Sequence, residues 1–484
     1  MPKVRQSVPA APVEAFTRLR AELDLPAGFG PEVEQAAATA AAAGPLDGAA
    51  VGRVDLGHVP FVTIDPPGSR DLDQALHLES RGSGLRVWYA IADVAAFVRP
   101  GDPVDLEARE RGRTVYLPDG TVPLHPRVLS EGAASLLPDV DRPAVVWQVD
   151  LDADGAVVAH DLRRATIRSR ARLTYDEAQT ASAAPGSVAA LLLELGRRRQ
   201  ELEWRRGGIS LGLPDVRVEL VDGRPHLRLR QQLPIEEANA QLSLLVGIVA
   251  ADDLVTGGVG ILRTLPDPRA DDVDELRADA RALGAPWPSE IDVATFLRTL
   301  HAARARDAAL LVSATRTLRG AGYQALGPDV LPQRHGAVAA HYAHVTAPLR
   351  RLVDRYAHEV LLALHADVPV PQEVLLVLPT LPGAMDRGSG RAGAAERATT
   401  DLAEAVLLSS RVGERLRAVP VRKRGDEVEV RVVDPPVVAT VRGHAPLGVE
   451  VTVRVASVDV PGRRIELVLD DGSAGRDGHG GRSG

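Results

Sequence analysis

Two kinds of hydrophobic periodicity divide this chain, and together they limit its fold more than any single motif does. From Val51 to about Val149, short β-branched and aromatic runs are separated by clusters of Pro, Gly, Asp and Ser, which predicts strands and turns. Val59 to Ile64, Ala75 to Leu78, Leu85 to Ala92 and Ala144 to Leu151 read as strands, with Arg81-Gly-Ser-Gly84 and Asp152-Ala-Asp-Gly155 as turns. Most of 174–365 instead carries helical spacing. Residues 174–206 place Leu191, Leu192, Leu193 and Leu195 on a buried stripe, and Ile235 to Leu254 is a long apolar helix. Two strands, 215–221 and 226–231, interrupt this region. The stretch 268–325 reads as two helices broken near Gly284-Ala-Pro286, and 348–365 as a helix opened by Pro348. The fold class is α+β.

The two ends of the chain differ from its middle. Residues 1–50 read as a helical segment followed by a linker that includes the alanine-rich Ala36 to Ala43. Residues 368–417 form a connector, with a proline- and glycine-rich boundary containing Gly388-Ser-Gly390 and then a helix over about 396–417. Residues 418–470 return to strands at Glu427 to Val433, Val437 to Val441, Glu450 to Val458 and Arg464 to Leu469, the size of a small OB-type β-barrel. The tail over 471–484, rich in Gly, Ser and Arg, is expected to be disordered.

At 484 residues the chain exceeds one ordinary core. The absence of cysteine excludes disulfides, zinc–thiolate sites and thiol nucleophiles. No signal core stands out near the N-terminus and no apolar run reads as long enough to span a membrane, so a cytoplasmic protein without membrane association is expected. The net charge of −8 argues against a global electrostatic nucleic-acid binder. Of the 57 basic residues, however, only Lys3 and Lys423 are lysine. Arginine gives planar, bidentate phosphate recognition wherever it converges on a site.

The strongest chemical signal is the loop between the first two predicted strands, Thr63-Ile-Asp-Pro-Pro-Gly-Ser-Arg-Asp-Leu-Asp-Gln74. Asp65, Asp71 and Asp73 crowd together there, and such carboxylates repel unless a cation or proton lies between them. Hard divalent cations such as Mg²⁺ take this donor set, usually with substrate phosphates completing it. The alternatives are a polar turn built on Pro66, Pro67 and Gly68, or a calcium site, although EF-hand spacing is absent. A second signal is Tyr342-Ala-His-Val-Thr-Ala-Pro-Leu-Arg-Arg351. A helix beginning at Pro348 puts Arg350 and Arg351 in its first turn, where they oppose the helix dipole but suit an anion. The alternative is a surface helix with ordinary charges.

These residues together resemble the ribonuclease II / ribonuclease R superfamily and its RNB catalytic domain. The resemblance rests on Thr63-Ile-Asp65 with Asp71-Leu-Asp73, Ala90-Ile-Ala-Asp93, Arg111-Gly-Arg-Thr-Val-Tyr-Leu-Pro118, Leu129-Ser-Glu-Gly132, Ser135-Leu-Leu-Pro138 and the Tyr342–Arg351 segment. It runs from about residue 51 to 365, and 420–470 resembles the family's C-terminal S1-type OB domain. The resemblance implies a catalytic domain over 51–367 with a mixed sheet surrounded by helices. It implies a hydrolytic 3′-to-5′ exoribonuclease that digests single-stranded RNA to nucleoside 5′-monophosphates with Mg²⁺, and no obligate protein partner is inferred. By this resemblance Asp65, Asp71, Asp73 and Gln74 fall at metal positions, and Asp71, Asp73 and Arg350 at catalytic ones. Tyr116, Tyr342, His344 and Arg351 fall along the RNA path. Tyr116 otherwise reads as a core strand tyrosine, and His344 as donating either to a phosphate or to a backbone group. A stacking aromatic holds any base at about 1–3 kcal/mol without reading sequence.

The sequence also departs from the family pattern. Gln74 stands where the family has a fourth carboxylate, offering a neutral oxygen in its place. Val345, Ala347 and Leu352 replace an aromatic, a serine and a tyrosine, and Ser243 replaces an asparagine. The two N-terminal cold-shock barrels of many members have no counterpart in residues 1–50. The alternative function is therefore an RNA-binding relative whose catalysis is weakened or lost at Gln74.

Overall fold

Alanine is the best helix former, and the alanine-rich segment expected as a linker is helical. The computed structural model describes residues 12–46, 52–213, 215–221, 224–302 and 304–470. The expected disordered tail, 471–484, lies outside them. Helices α1 (Pro12–Glu22) and α2 (Pro31–Ala43) come first. Pro31 opens α2, Gly44 closes it at φ +80°, and Ala37 is buried beside Leu56 and Val59.

The strand-rich stretch closes on itself. It contains β1 (Val54–Asp55), β2 (Phe61–Ile64), β3 (Gln74–Arg81), β4 (Gly84–Ala92), helix α3 (Pro103–Arg111), the hairpin β5 (Val115–Leu117) and β6 (Gly120–Val122), then β7 (Asp141–Leu151) and β8 (Val157–Leu173). The order β8-β2-β3-β4-β7 returns to β8, closing a five-stranded barrel with β1 alongside. The sheet is mixed: β1 and β2 run parallel to β8, and the other pairs are antiparallel. Strand β4 is buried on both faces, as its continuous apolar run requires. Leu85, Val87, Tyr89 and Ile91 join Trp147 in one core, while Ala90 and Ala92 join another.

Helices surround this barrel. The chain continues through α4 (Tyr175–Ala181), α5 (Val188–Arg205), the hairpin β9 (Asp215–Val221) and β10 (Arg224–Arg230), α6 (Pro234–Gly257) and β11 (Gly260–Thr264). Of the leucine stripe on α5, Leu191, Leu192 and Leu195 are buried and Leu193 is partly so. Contrary to expectation, α6 is by length and composition apolar enough to cross a membrane. Its apolar side chains, among them Leu242, Leu245, Val246 and Val249, pack in the same core as those of α5.

The next stretch differs from its expected two helices. It holds α7 (Ala270–Ala282), α8 (Val293–Arg298), α9 (Ala305–Ala314) and a strand, β12 (Gly322–Leu326), which pairs antiparallel with β11. Helix α10 spans Leu352–His365, so Arg350 and Arg351 precede it and are not in its first turn. Pro348 sits in a tight turn where Arg350 N–H donates to Ala347 O at 3.2 Å. Asp354 explains the later start: its carboxylate accepts from the Ala347 amide at 2.7 Å, holding the turn on the helix end.

Past α11 (Gln372–Val377), the expected boundary is instead the start of one 29-residue helix, α12 (Leu381–Ser409). One of its glycines, Gly388, serves a close approach rather than a boundary. A Cβ on Gly388 would lie 2.8 Å from Arg111 O and 3.1 Å from the Cα of Gly112. Gly112, at φ +70°, faces Ala384 O in the same way. This contact seats the segment that leads to Tyr116. Five strands follow: β13 (Arg415–Arg424), β14 (Glu427–Val432), β15 (Val438–Arg442), β16 (Val451–Asp459) and β17 (Arg464–Leu469). The expected helix over 396–417 therefore ends early, and β13 is the fifth strand that the sequence concealed. With the order β15-β14-β13-β16-β17 and β15 lying against β17, they form a nearly closed OB-like barrel around Val428, Val430, Val432 and Val453.

Candidate active site

The acidic loop is pinned at both ends. Asp65 N–H donates to Leu173 O at the end of β8, at 3.0 Å, and Ala92 N–H donates to Asp73 O at 2.9 Å. Between them, buried Ser135 accepts from Leu72 N–H at 3.0 Å and donates to Arg70 O at 2.6 Å. The Leu136 amide reaches Leu72 O at 3.0 Å. The Ser135-Leu-Leu-Pro138 motif is thus a backbone clamp on the loop. These bonds hold like charges together against their repulsion.

The three aspartates differ in environment. Asp73 is only 4% exposed. It accepts the Leu349 amide at 2.8 Å and faces Arg350 Nε at 3.2 Å. Burial pushes its carboxyl up to about 7; Arg350 and the Leu349 amide oppose that, while Asp354 and Asp71 add to it. Burial likewise pushes Asp65 up to about 6, Arg350 and Arg172 pulling down and Asp71 pushing up. One oxygen of Asp65, Oδ2, is buried with no hydrogen-bond partner among the described residues. Asp71 accepts from the Tyr116 hydroxyl at 3.4 Å.

A pH dependence follows from these two raised values. Between about pH 4 and pH 7 the native state holds protons that the unfolded chain has released. The stability of metal-free protein therefore falls as pH rises through that window. A divalent cation needs the ionised carboxylates, so its binding tightens over the same range. Thermal unfolding with EDTA or with Mg²⁺ across about pH 5 to 8 is expected to show a gap in Tm that widens with pH. A constant gap contradicts this.

Tyr116 and Arg350 face the same loop from the other side. Both are accessible, at 49% for the Tyr116 residue and 45% for the Arg350 side chain. A cavity of about 290 Å³ opens between Tyr116, Asp71, Arg127 and Leu349. The reading of Tyr116 as a core strand tyrosine does not hold. Arg113, within the Arg111–Pro118 motif, is a further site residue that the sequence did not single out. Arg113 Nε is buried without a hydrogen-bond partner among the described residues. Burial holds its pKa below the usual arginine value, with Arg351 and Arg350 among the nearby charges.

Tyr342 and His344 belong to an adjoining aromatic cluster. His344 Nδ1 lies 2.8 Å from the Tyr323 hydroxyl, and the Tyr342 and His344 rings meet edge to face at 5.5 Å. The Arg263 guanidinium lies 4.8 Å from the Tyr323 ring centroid. Burial, with Arg351 and Arg263 next, keeps His344 neutral by holding its pKa well below the usual histidine value. Tyr342 fits because α6 carries a glycine opposite it: a Cβ on Gly247 would sit 2.1 Å from the ring. Arg263 and Tyr323 lie on β11 and β12, where the sequence had suggested no strand. Arg351 is held by Asp354 through Nε at 3.0 Å and Nη2 at 2.8 Å. Its main contact is therefore within the protein.

Gln74 has a task a carboxylate cannot perform. Its amide nitrogen donates to Thr346 O at 2.5 Å, tying β3 to the turn before Arg350. Among the described residues no hydrogen bond engages its Oε1. Asp is shorter and carries no donor, so Gln74→Asp breaks the tie and sets a charge near a carbonyl. A loss of about 1–3 kcal/mol in stability, with no gain in RNA turnover, is expected from denaturant titration and activity assays. A rise in turnover by orders of magnitude contradicts this role.

The family model described as RNB domain matches residues 53–367. The chain belongs to the RNB-domain family. A model described as RNase II-type exonuclease C-terminal S1 domain matches residues 414–470, the OB-like barrel. Ribonuclease R of Escherichia coli is 30% identical over 331 residues, covering 65% of this chain and 40% of that protein. The chain thus spans well under half of that relative's length. In structure it resembles Mycoplasma genitalium RNase R in complex with ribose methylated single-stranded RNA, with a TM-score of 0.84 and 21% identity over 95% of this chain and 78% of that one. It also resembles yeast Ssd1, a pseudonuclease, with a TM-score of 0.69 and 19% identity over 86% of this chain and 54% of that one.

Proposed function

We propose that this RNB-family protein is a Mg²⁺-dependent 3′-to-5′ exoribonuclease that degrades single-stranded RNA to nucleoside 5′-monophosphates. The observation that carries this reading is charge imbalance at the acidic loop. Asp65 and Asp73 are desolvated, Asp65 Oδ2 has no donor among the described residues, and Arg350 faces the group beside Tyr116. An oxygen-only donor set of this kind fits Mg²⁺. Asp65, Asp71 and Asp73 would hold the ion, and when bound it supplies Lewis-acid polarisation of a phosphoryl oxygen and a more acidic water.

The chain's own side chains supply the remaining functions. Tyr116 stacks on a terminal base whatever its identity. Arg350 meets charge developing on the scissile phosphate, and losing such a preorganised donor typically costs about 10²–10³ in rate. Arg113, whose Nε has no partner among the described residues, and Arg263 extend phosphate contact toward the aromatic cluster. Three such contacts predict that log affinity for single-stranded RNA falls with log salt at a slope of roughly −2. Filter binding with the Asp73→Asn protein measures this, and a flat response contradicts the path.

A second reading, an RNA-binding protein without turnover, is favoured by Gln74 alone. Incubation of 5′-labelled single-stranded RNA with Mg²⁺ separates the two. Progressive shortening from the 3′ end supports the nuclease, and intact RNA that is demonstrably bound supports the second reading.

A further inference from the structure

Away from the acidic loop, three chemistry-bearing side chains from three elements meet. His160 on β8 places Nε2 at 3.0 Å from both carboxylate oxygens of Asp253 on α6. His365, the last residue of α10, places Nε2 at 2.9 Å from Asp253 Oδ2. One ligand atom from each lies within 4.8 Å of the others. Buried Trp147 orients the rings, with centroids at 6.3 Å from His160 and 6.0 Å from His365. None of these residues serves the RNA site described above.

We propose that His160, Asp253 and His365 bind one zinc-class divalent cation, with water completing the coordination on the solvent side. Zinc ligands sit at about 2.0–2.2 Å, so tetrahedral donors lie roughly 3.4 Å apart. Each imidazole nitrogen stands 2.9–3.0 Å from the Asp253 carboxylate, a few tenths of an ångström short of that spacing, and both rings are partly exposed. Two imidazoles and one carboxylate suit Zn²⁺, whereas Mg²⁺ prefers oxygen donors, so ligand type divides the two sites between metals. The local field agrees. The site lies at the C-terminal end of α10 and one turn before the end of α6 at Gly257, and both helix ends favour a cation. Asp252 adds a further negative charge near His160, with His341 beside Asp252. The bound ion joins β8, α6 and α10, and so fixes the helix that follows Arg350.

The test titrates the full chain with Zn²⁺ in excess Mg²⁺, which keeps the acidic loop supplied with its own ion. Binding is read by metal analysis after gel filtration and by Tm, with Co²⁺ added separately for its visible absorption. One equivalent of Zn²⁺ and a raised Tm are expected. His160→Gln and His365→Gln are each expected to weaken binding at least tenfold, as is Asp253→Asn, which keeps the side chain's shape. Asp73→Asn is expected to bind Zn²⁺ like the parent. Circular dichroism confirms that each variant is folded. Failure of the parent to retain Zn²⁺ overturns the proposal, as does unchanged binding in both folded histidine variants.

Discussion

Asp73→Asn is expected to lower RNA turnover by about 10²–10³-fold, which corresponds to about 3–4 kcal/mol of transition-state stabilisation. Asp73 is the aspartate that touches both the Leu349 amide and Arg350, so it couples the acidic loop to the phosphate-facing arginine. An asparagine oxygen can still accept the Leu349 N–H. The fold should therefore survive, and RNA binding through Tyr116, Arg113 and Arg350 should change by only a few-fold. Stability provides an internal check. Burial pushes the Asp73 carboxyl up to about 7, so in metal-free protein at about pH 8 the ionised form is held at a free-energy cost. Replacing it by a neutral amide is expected to leave Tm equal or higher under those conditions. Lower activity together with lower Tm would mean that Asp73 serves mainly the fold.

Asp105→Ala is expected to destabilise the protein by about 3–5 kcal/mol, a large share of the total stability of an ordinary domain. Asp105 on α3 is fully buried and accepts from Arg355 Nη1 at 2.7 Å, from the Tyr356 hydroxyl at 2.5 Å and from the Gly101 amide at 2.7 Å. Burial opposes its ionisation, but Arg355, the Gly101 amide and Tyr356 outweigh that and hold its pKa below the usual carboxylate value. Arg355 is itself buried on α10, the helix that follows Arg350. Removing Asp105 leaves that guanidinium buried without the carboxylate to which its Nη1 donates. The double variant Asp105→Ala with Arg355→Met is expected to recover most of the loss, because the burial penalty goes with the charge. Urea denaturation checks both, and a loss under about 1 kcal/mol for the single variant would contradict the account.

The sequence was most legible where chemistry is packed into contiguous segments. Asp65, Asp71 and Asp73 crowd one loop, Tyr116 and Arg113 share one short motif, and Arg350 sits beside the turn that reaches Asp73. Short apolar, β-branched runs bounded by turn residues exposed the barrel strands β3, β4 and β7, because these strands are buried along most or part of their length. What escaped depends on partners distant in the chain. The role of Gln74 lies in Thr346, 272 positions away. Arg263 and Tyr323 meet because β11 pairs with β12 across three intervening helices, and no local pattern announces that pairing. The glycines of α12 read as a boundary by composition, yet Gly388 sits inside the helix and admits the backbone of Arg111 and Gly112. Helix α10 begins later than its proline suggested because Asp354 captures the preceding turn. The cluster of His160, Asp253 and His365 was invisible for the same reason, since its members come from one strand and two helices.

The central claim is that three aspartates and Arg350 suffice for cleavage with Gln74 acting as a tie. The most direct measurement follows release of nucleoside 5′-monophosphates from single-stranded RNA by chromatography, with Mg²⁺ present and then removed by EDTA. The account predicts steady monophosphate release by the natural protein, none with EDTA, and little from Asp73→Asn. Full-length RNA, bound but uncut at high protein concentration in Mg²⁺, would contradict it.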